Sequence, residues 1–297
     1  MSDFKSGFVS IIGIPNVGKS TILNSMLGEK VAIITNKPQT TRNIIKGIST
    51  NKDVQIIFVD TPGIQNGKSK LGQSMLKMSE SSIIDVDVVL FVVSAGKAFE
   101  DNVKILERLK GSDTPVFLVI NKIDTVDKTS LLSIIEAYSK EFEFAEVVPI
   151  SALKGDNLLA LKDGIIKYLP EGPQYFPADT TTDQSDKFLI AEMIREKALY
   201  VLEEEIPHGI AVEITVLKNR EDKPIIDIDA TIFCEKKSHK GIIIGKGGEM
   251  LKEIGTKARL DIQRLYDEKI NLQLWVKVKE NWRDSDFYIK NFGLKAD

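Results

Sequence analysis

The sequence predicts two domains of different fold class, an α/β domain followed by a smaller α+β domain. Through Leu169, short apolar runs of strand length alternate with stretches whose apolar residues recur at helical spacing. This alternation is typical of a mostly parallel sheet with helices on both faces. After residue 186 the pattern changes to helix, strand, strand, helix, helix, strand. A chain of 297 residues is long enough for two such domains.

Composition restricts the classes of function. An apolar content of 42% is enough for a sizeable core, and a net charge of −3 means that any nucleic-acid site must be local. The single cysteine, Cys234, follows an apolar strand-like run, so we expect it in a core in a reducing compartment. His208 and His239 are not spaced as metal ligands. No signal-peptide pattern or bilayer-length apolar run is present, so a cytosolic location is expected.

The first strand-to-helix junction carries a phosphate-binding motif. Residues 13–20, Gly-Ile-Pro-Asn-Val-Gly-Lys-Ser, fit G-x-x-x-x-G-K-[ST] and follow an apolar strand at 8–12. The backbone N–H groups of such a loop and the helix N-terminus after it bind phosphates. We expect Lys19 to reach the β- and γ-phosphates and Ser20 to ligate Mg²⁺. The nucleotide-binding residues expected here are Gly13, Asn16, Val17, Gly18, Lys19, Ser20 and Thr21.

A second apolar strand, at 56–59, ends in Asp-Thr-Pro-Gly. The carboxylate of Asp60 lies where a water-bridged Mg²⁺ ligand belongs, and the Gly63 N–H can then meet a γ-phosphate. Both residues are therefore expected to bind the nucleotide.

Two later strands end in residues suited to guanine. The strand at 116–120 leads into Asn121, Lys122 and Asp124. A carboxylate can accept both the N1–H and N2–H₂ donors of guanine, whereas adenine offers one donor on that edge. The strand at 145–150 delivers a loop whose backbone can contact guanine O6, at Ser151, Ala152 and Leu153.

Four such motifs in this order resemble a translation-factor-type GTPase domain over residues 8–168. The loop at 37–42, Lys-Pro-Gln-Thr-Thr-Arg, narrows the resemblance to the Era family of ribosome-associated GTPases, although an exposed polar turn is an alternative for this loop alone. The family implies a switch threonine that closes on Mg²⁺, which we assign to Thr41 with Thr40 as the alternative. Catalytic residues are then Lys19, Thr41 and Gly63, and metal-binding residues are Ser20, Thr41 and Asp60.

Two positions bear on hydrolysis. Many GTPases carry a water-orienting glutamine where this chain has Ile64, and Gln65 would point differently. Slow intrinsic hydrolysis, or dependence on another group, is expected. Related GTPases with asparagine at the position of Asn16 can recruit K⁺ in place of an arginine finger. That Asn16 only shapes the loop is equally open.

The chain divides near residue 170. Three prolines and a glycine lie within residues 170–177, followed by a polar stretch that is expected to pack poorly. The expected units are a GTPase domain at 1–170, a linker at 171–185 and a second domain at 186–297.

The second domain carries Gly-Lys-Gly-Gly between two helical patterns, and its element order resembles a KH domain of bacterial topology. A loop with few side chains can approach a single-stranded sugar-phosphate backbone. Residues 236–259 hold seven basic against two acidic side chains, a local charge of +5. A glycine-capped turn is the alternative for this loop alone. The expected RNA-binding residues are Gly245, Lys246, Gly247, Gly248, Lys240 and Lys252.

The whole chain thus resembles the Era family, which implies an α/β P-loop GTPase domain followed by an α+β KH domain. The family implies hydrolysis of GTP to GDP and phosphate, binding to the 3′ end of small-subunit ribosomal RNA, and a role in small-subunit assembly. A cytoplasmic monomer is expected, and peripheral association with the inner face of the cell membrane is left open. The alternatives are another GTPase of this class and a non-enzymatic RNA-binding protein; the single GTPase domain and intact Lys19, Ser20, Asp60 and Asp124 argue against them.

Overall fold

The computed structural model describes residues 4–35, 37, 39–64, 69–204 and 206–294. The strands in this part of the chain are β1 Lys5–Ile12, β2 Ile45–Thr50, β3 Val54–Asp60, β4 Val88–Ser94, β5 Val116–Asn121, β6 Glu146–Pro149, β7 Ala211–Asn219, β8 Ile225–Cys234 and β9 Lys269–Val278. The helices are α1 Lys19–Leu27, α2 Lys70–Ser81, α3 Val103–Leu109, α4 Lys128–Glu141, α5 Leu158–Tyr168, α6 Asp186–Val201, α7 Lys237–Ile244, α8 Glu249–Tyr266 and α9 Asp286–Asn291. No helix among the described residues is long and apolar enough to cross a bilayer.

The first sheet has the strand order β2-β3-β1-β4-β5-β6. Only β2 is antiparallel to its neighbour; the other pairs are parallel. One apolar core packs α1 and α5 on one face, and another packs α3 and α4 on the opposite face. Because both faces are covered, β3, β4 and β5 are buried throughout and appear in the sequence as continuous apolar runs. The predicted α/β architecture is confirmed.

The second sheet has the order β7-β8-β9, with β7 antiparallel and β9 parallel to β8. Helices α6, α7 and α8 share one apolar core with this sheet, and Cys234 is buried in it. The predicted order of helix, strand, strand, helix, helix, strand is confirmed. The first of these helices, α6, begins at Asp186 because the Ser185 side chain caps it by accepting from the Phe188 N–H.

The segment at 170–185 packs against the first sheet, contrary to the expectation that its polar stretch would pack poorly. Glu171 forms a bridge with Lys5 of β1, and the Ile48 N–H of β2 donates to the carbonyl of Thr181 at 2.9 Å. Between them, the buried Gln55 of β3 accepts from the N–H groups of residues 175 and 176. The segment therefore runs from β1 across β3 to the outer edge of β2, where it satisfies backbone groups of that edge strand.

A further apolar cluster joins the two halves of the chain, and no sequence pattern indicated it. Leu71, Met75 and Met78 of α2 contribute from the first half, and Trp282 and Ile289 from the C-terminal region. Trp282 is fully buried, and its indole N–H donates to the carbonyl of Gly209 at 2.9 Å. The helix α9, which lies beyond the predicted elements, is held in this cluster.

Candidate functional site

The phosphate-binding motif forms a tight loop between β1 and α1. Gly18 has a φ of +100°, and a Cβ there would lie 2.2 Å from Nδ2 of Asn121, so only glycine fits. The ammonium of Lys19 donates to the carbonyls of Gly13 and Ile14 at 3.1 and 3.2 Å. Burial lowers the pKa of Lys19 to about 8, and the charge of Asp60 opposes that shift. The loop thus brings a buried cation beside its own N–H groups, as a polyphosphate requires.

Three oxygen-bearing side chains meet beside this loop. The Ser20 hydroxyl donates to Oδ2 of Asp60 at 2.7 Å and lies 2.9 Å from Oγ1 of Thr41. Oδ1 of Asp60 is buried and has no hydrogen-bond partner among the described residues. Burial raises the pKa of Asp60 to about 6, opposed by Lys19 and by the Ser20 bond. Hard oxygen ligands with one unsatisfied buried carboxylate oxygen fit Mg²⁺.

The two threonines of the loop at 37–42 occupy different environments. Oγ1 of Thr40 donates to the carbonyl of Lys37 at 2.6 Å and lies 2.6 Å from Oγ1 of Thr35. It is therefore engaged within its own loop, whereas Thr41 faces Ser20. This geometry favours Thr41 over Thr40 as the metal ligand.

The Asp-Thr-Pro-Gly segment closes the other side of the loop. A Cβ on Gly63 would lie 2.8 Å from the backbone nitrogen of Pro15, so glycine permits the contact. The N–H of Ile64 donates to the carbonyl of Gly13 at 3.2 Å, and its side chain is buried in the core with α3 and α4. Ile64 therefore cannot orient water, and Gln65 lies outside the described residues.

Asn121 ties the phosphate side to the base side. Its Nδ2 donates to the carbonyl of Val17 at 2.8 Å, and its Oδ1 accepts from the N–H of Ala152 at 3.0 Å. The ammonium of Lys122 donates to the carbonyl of Asn16 at 2.8 Å. These bonds hold the motifs after β1, β5 and β6 in one rigid unit at the carboxyl edge of the sheet.

The base-side carboxylate is held in its charged form. The Ser151 hydroxyl donates to Oδ1 of Asp124 at 2.7 Å, and Lys154 lies 3.7 Å from Oδ2. The Ser151 bond is the main cause of a lowered Asp124 pKa. Leu153 is 84% exposed, where it can lie against a planar base. Lys154 was not predicted, since no motif spacing marks it.

The Gly-Lys-Gly-Gly loop lies between α7 and α8. Gly245, Gly247 and Gly248 all have positive φ, and Gly248 caps α8. Lys240, Lys246 and Lys252 are exposed. A groove of about 530 Å³ runs from this loop between α8 and β9, and its lining includes Leu251, Lys252, Gly255, Arg259, Leu272 and Leu274. Apolar walls with basic side chains at the rim suit a single strand, whose bases stack and whose phosphates are charged.

The sequence did not identify most of this groove. Gly255 lies against Leu274, where a Cβ would approach its side chain to 3.2 Å. Leu272 and Leu274 are half-buried strand residues that look like ordinary core positions. Only the packing of α8 on β9 shows that they face the groove.

Comparisons with known proteins agree with this geometry. Residues 8–122 match the family of 50S ribosome-binding GTPases, and residues 205–283 match the KH domain family. The GTPase Era of Ruminiclostridium cellulolyticum is 54% identical over 295 residues, which are 99% of each chain. The chain belongs to the Era family of GTPases. The expected family, fold and GTP-hydrolysing activity are thereby confirmed.

Other Era proteins are similar along the same length. Era of Clostridioides difficile is 56% identical over 292 residues, 98% of each chain. A substituted Era of Aquifex aeolicus, crystallised with GDP and AlF₄⁻, superposes with a TM-score of 0.94 at 42% identity, covering 99% of this chain and all of that one. An Era structure with MgGDPNP and nucleotides 1506–1542 of 16S ribosomal RNA superposes with a TM-score of 0.95, at the same identity and coverage.

Proposed function

We propose that this Era-family chain binds GTP and GDP with Mg²⁺, binds the 3′ end of small-subunit ribosomal RNA, and assists small-subunit assembly. The observation that carries the proposal is the pairing on one chain of the guanine-nucleotide constellation with the groove beside the glycine loop. An Era structure similar over nearly the full length was solved with MgGDPNP and 16S ribosomal RNA, which supports both ligands.

The role proposed for each residue follows from its position in the site. The N–H groups of the loop and Lys19 bind the phosphates, and Gly63 donates its N–H to the γ-phosphate. Mg²⁺, when bound, neutralises charge that develops on the phosphate oxygens. Ser20 and Thr41 would ligate it directly and Asp60 through water. The residues proposed to bind the guanine side of the nucleotide are Asn121, Lys122, Asp124, Ser151, Ala152 and Leu153.

We further propose that the chain comprises a domain at 1–170, a linker at 171–185 and a domain at 186–297. Two largely separate apolar interiors support this division. We also propose that it works as a cytoplasmic monomer. Peripheral association with the inner face of the cell membrane would appear as protein that sediments with membranes on fractionation.

The proposal is tested by crosslinking the full-length protein to cellular RNA and sequencing the bound fragments. Fragments from the 3′ end of small-subunit ribosomal RNA are expected to dominate. Enrichment of transfer RNA instead would contradict the proposed RNA partner.

Acidification should weaken the contribution of Mg²⁺ to GTP binding. Asp60 must be ionised to accept from a metal-bound water, and burial raises its pKa to about 6. Below that pH the protonated form dominates, so the gain in affinity on adding Mg²⁺ should be about tenfold smaller at pH 5 than at pH 7. Titrations with and without Mg²⁺ at both pH values measure this gain, and Asp60→Asn, which has no carboxylate to protonate, accounts for protonation of the nucleotide. Asp60→Asn should show a small gain at both pH values; a wild-type gain that is independent of pH contradicts the assignment.

We propose that Asn16 helps to bind a catalytic K⁺. The buried Ile64 provides no water-orienting group, so transition-state charge must be stabilised otherwise. GTP hydrolysis should be at least about fivefold faster in K⁺ than in Na⁺ at matched ionic strength. Asn16 has a φ of +66°, which glycine also adopts, so Asn16→Gly should remove the difference without straining the loop. Equal wild-type rates in the two salts would leave Asn16 with a loop-shaping role only.

A further inference from the structure

Helix α6 of the second domain holds the loop that carries Thr41. Arg195 of this helix is 2% exposed. Its guanidinium donates to the carbonyl of Gln39 at 3.3 Å and to the carbonyl of Thr40. The contact therefore reaches the residue directly before Thr41, across the boundary between the two proposed domains.

The arginine is itself fixed in orientation. Its Nε and Nη2 donate to the two carboxylate oxygens of Glu192, one turn earlier on α6, at 2.6 and 2.5 Å. A planar guanidinium gripped in this bidentate way points its remaining donors in a set direction. The Arg195 side chain is thus preoriented toward the backbone at residues 39 and 40.

The residue after Thr41 is held by a contact in the other direction, in which the loop supplies the donor and the second domain the acceptors. The buried guanidinium of Arg42 donates to the carbonyls of Ile210 and His208 at 2.5 and 2.9 Å, and lies 5.8 Å from the centre of the Trp282 ring. The chain is thereby attached to the second domain on both sides of Thr41, before it through backbone carbonyls and after it through the Arg42 side chain. Thr41 itself lies 2.9 Å from Ser20.

We infer that Arg195 is a positioning residue for the GTPase reaction, which holds the backbone before Thr41 so that Thr41 stays beside Ser20 and Asp60. This inference rests on the proposed function, in which Thr41 ligates Mg²⁺ in the GTP state. A loop held in its bound conformation loses less entropy when the ligand binds. The second domain therefore favours GTP over GDP and supports hydrolysis through a contact with the loop, without touching the nucleotide.

The test compares full-length Arg195→Met with Arg264→Met, whose parent side chain is 78% exposed on the same domain. Affinities for fluorescent GDP and for a non-hydrolysable GTP analogue are measured in Mg²⁺, together with kcat and KM for GTP. Arg195→Met should lower analogue affinity and kcat at least fivefold and leave GDP affinity within twofold. Arg264→Met should match the wild type. Arg195→Lys, which lacks the planar guanidinium, should have an analogue affinity and a kcat between those of the wild type and Arg195→Met.

Thr41→Ala separates this inference from the proposed function on which it rests. It should show the same pattern, and adding Arg195→Met to it should change kcat by less than twofold because both act through one contact. An effect of Thr41→Ala with none of Arg195→Met overturns the inference alone. No effect of Thr41→Ala overturns the proposed ligand and the inference together.

A general folding defect is also distinguishable. Equal losses of GDP and GTP-analogue affinity in Arg195→Met would indicate a structural role and overturn the inference. Glu192→Gln gives a second route, since it keeps the arginine but removes the charge of its carboxylate partner. It should show a smaller shift of the same kind, confined to the GTP analogue and kcat.

Discussion

Replacing Asp124 with asparagine should convert a GTP-binding chain into one that prefers xanthosine triphosphate. The ionised carboxylate, held by Ser151 at 2.7 Å, can accept from both guanine donors. In the asparagine variant, the side-chain NH₂ group faces guanine N2–H₂, so that two donors meet. Xanthine has a carbonyl at C2, which can accept from that NH₂ group. GTP affinity should fall by about 2–4 kcal/mol, because a buried donor pair is left poorly matched.

The experiment is a competition of GTP, xanthosine triphosphate and ATP on the full-length protein. Asp127→Asn is the matched control: Asp127 caps α4 by accepting from the Ser130 N–H, and asparagine caps helices equally well. It should leave the nucleotide preference unchanged. Unaltered GTP affinity in Asp124→Asn would remove the base assignment.

Replacing Lys246 and Gly247 together with aspartate should abolish tight RNA binding. Lys246 is exposed on the glycine loop, and a Cβ on Gly247 meets nothing within 4 Å, so the change adds negative charge without a clash. Gly247 has a φ of +63°, a conformation that aspartate adopts more readily than most residues. Affinity for single-stranded RNA should fall more than tenfold, about 1.4 kcal/mol, because phosphates should lie there.

A control variant of the same charge change is available on the first domain. Lys110 and Gly111 are also exposed, and Gly111 also has a positive φ and open space around its Cα. Lys110→Asp with Gly111→Asp should leave RNA binding intact, and neither double variant should change GTP affinity. If the loop variant binds RNA as tightly as wild type, the glycine loop is a structural turn. Wild-type binding should weaken with salt, with a shallower slope in the loop variant.

The nucleotide constellation could be predicted from the sequence because its chemistry is local. The glycines of the phosphate loop are required by backbone geometry, as the contact between Gly18 and Asn121 shows. Parallel strands bring their carboxyl ends to one edge of the sheet, so motifs after β1, β3, β5 and β6 must converge. The order of elements after residue 186 could also be predicted, because each periodic pattern lies within a single helix or strand and is therefore local in the sequence.

What only the tertiary structure decided depends on contacts between distant segments. The choice of Thr41 over Thr40 rests on which side chain faces Ser20, and adjacent identical residues carry no pattern that separates them. The groove residue Leu274 resembles a core residue until α8 is packed on β9. The link from Arg195 to Thr40 spans 155 residues of chain. Such pairs are determined by how whole elements pack against each other. The sequence around a buried arginine contains no spacing that predicts which distant residue it contacts.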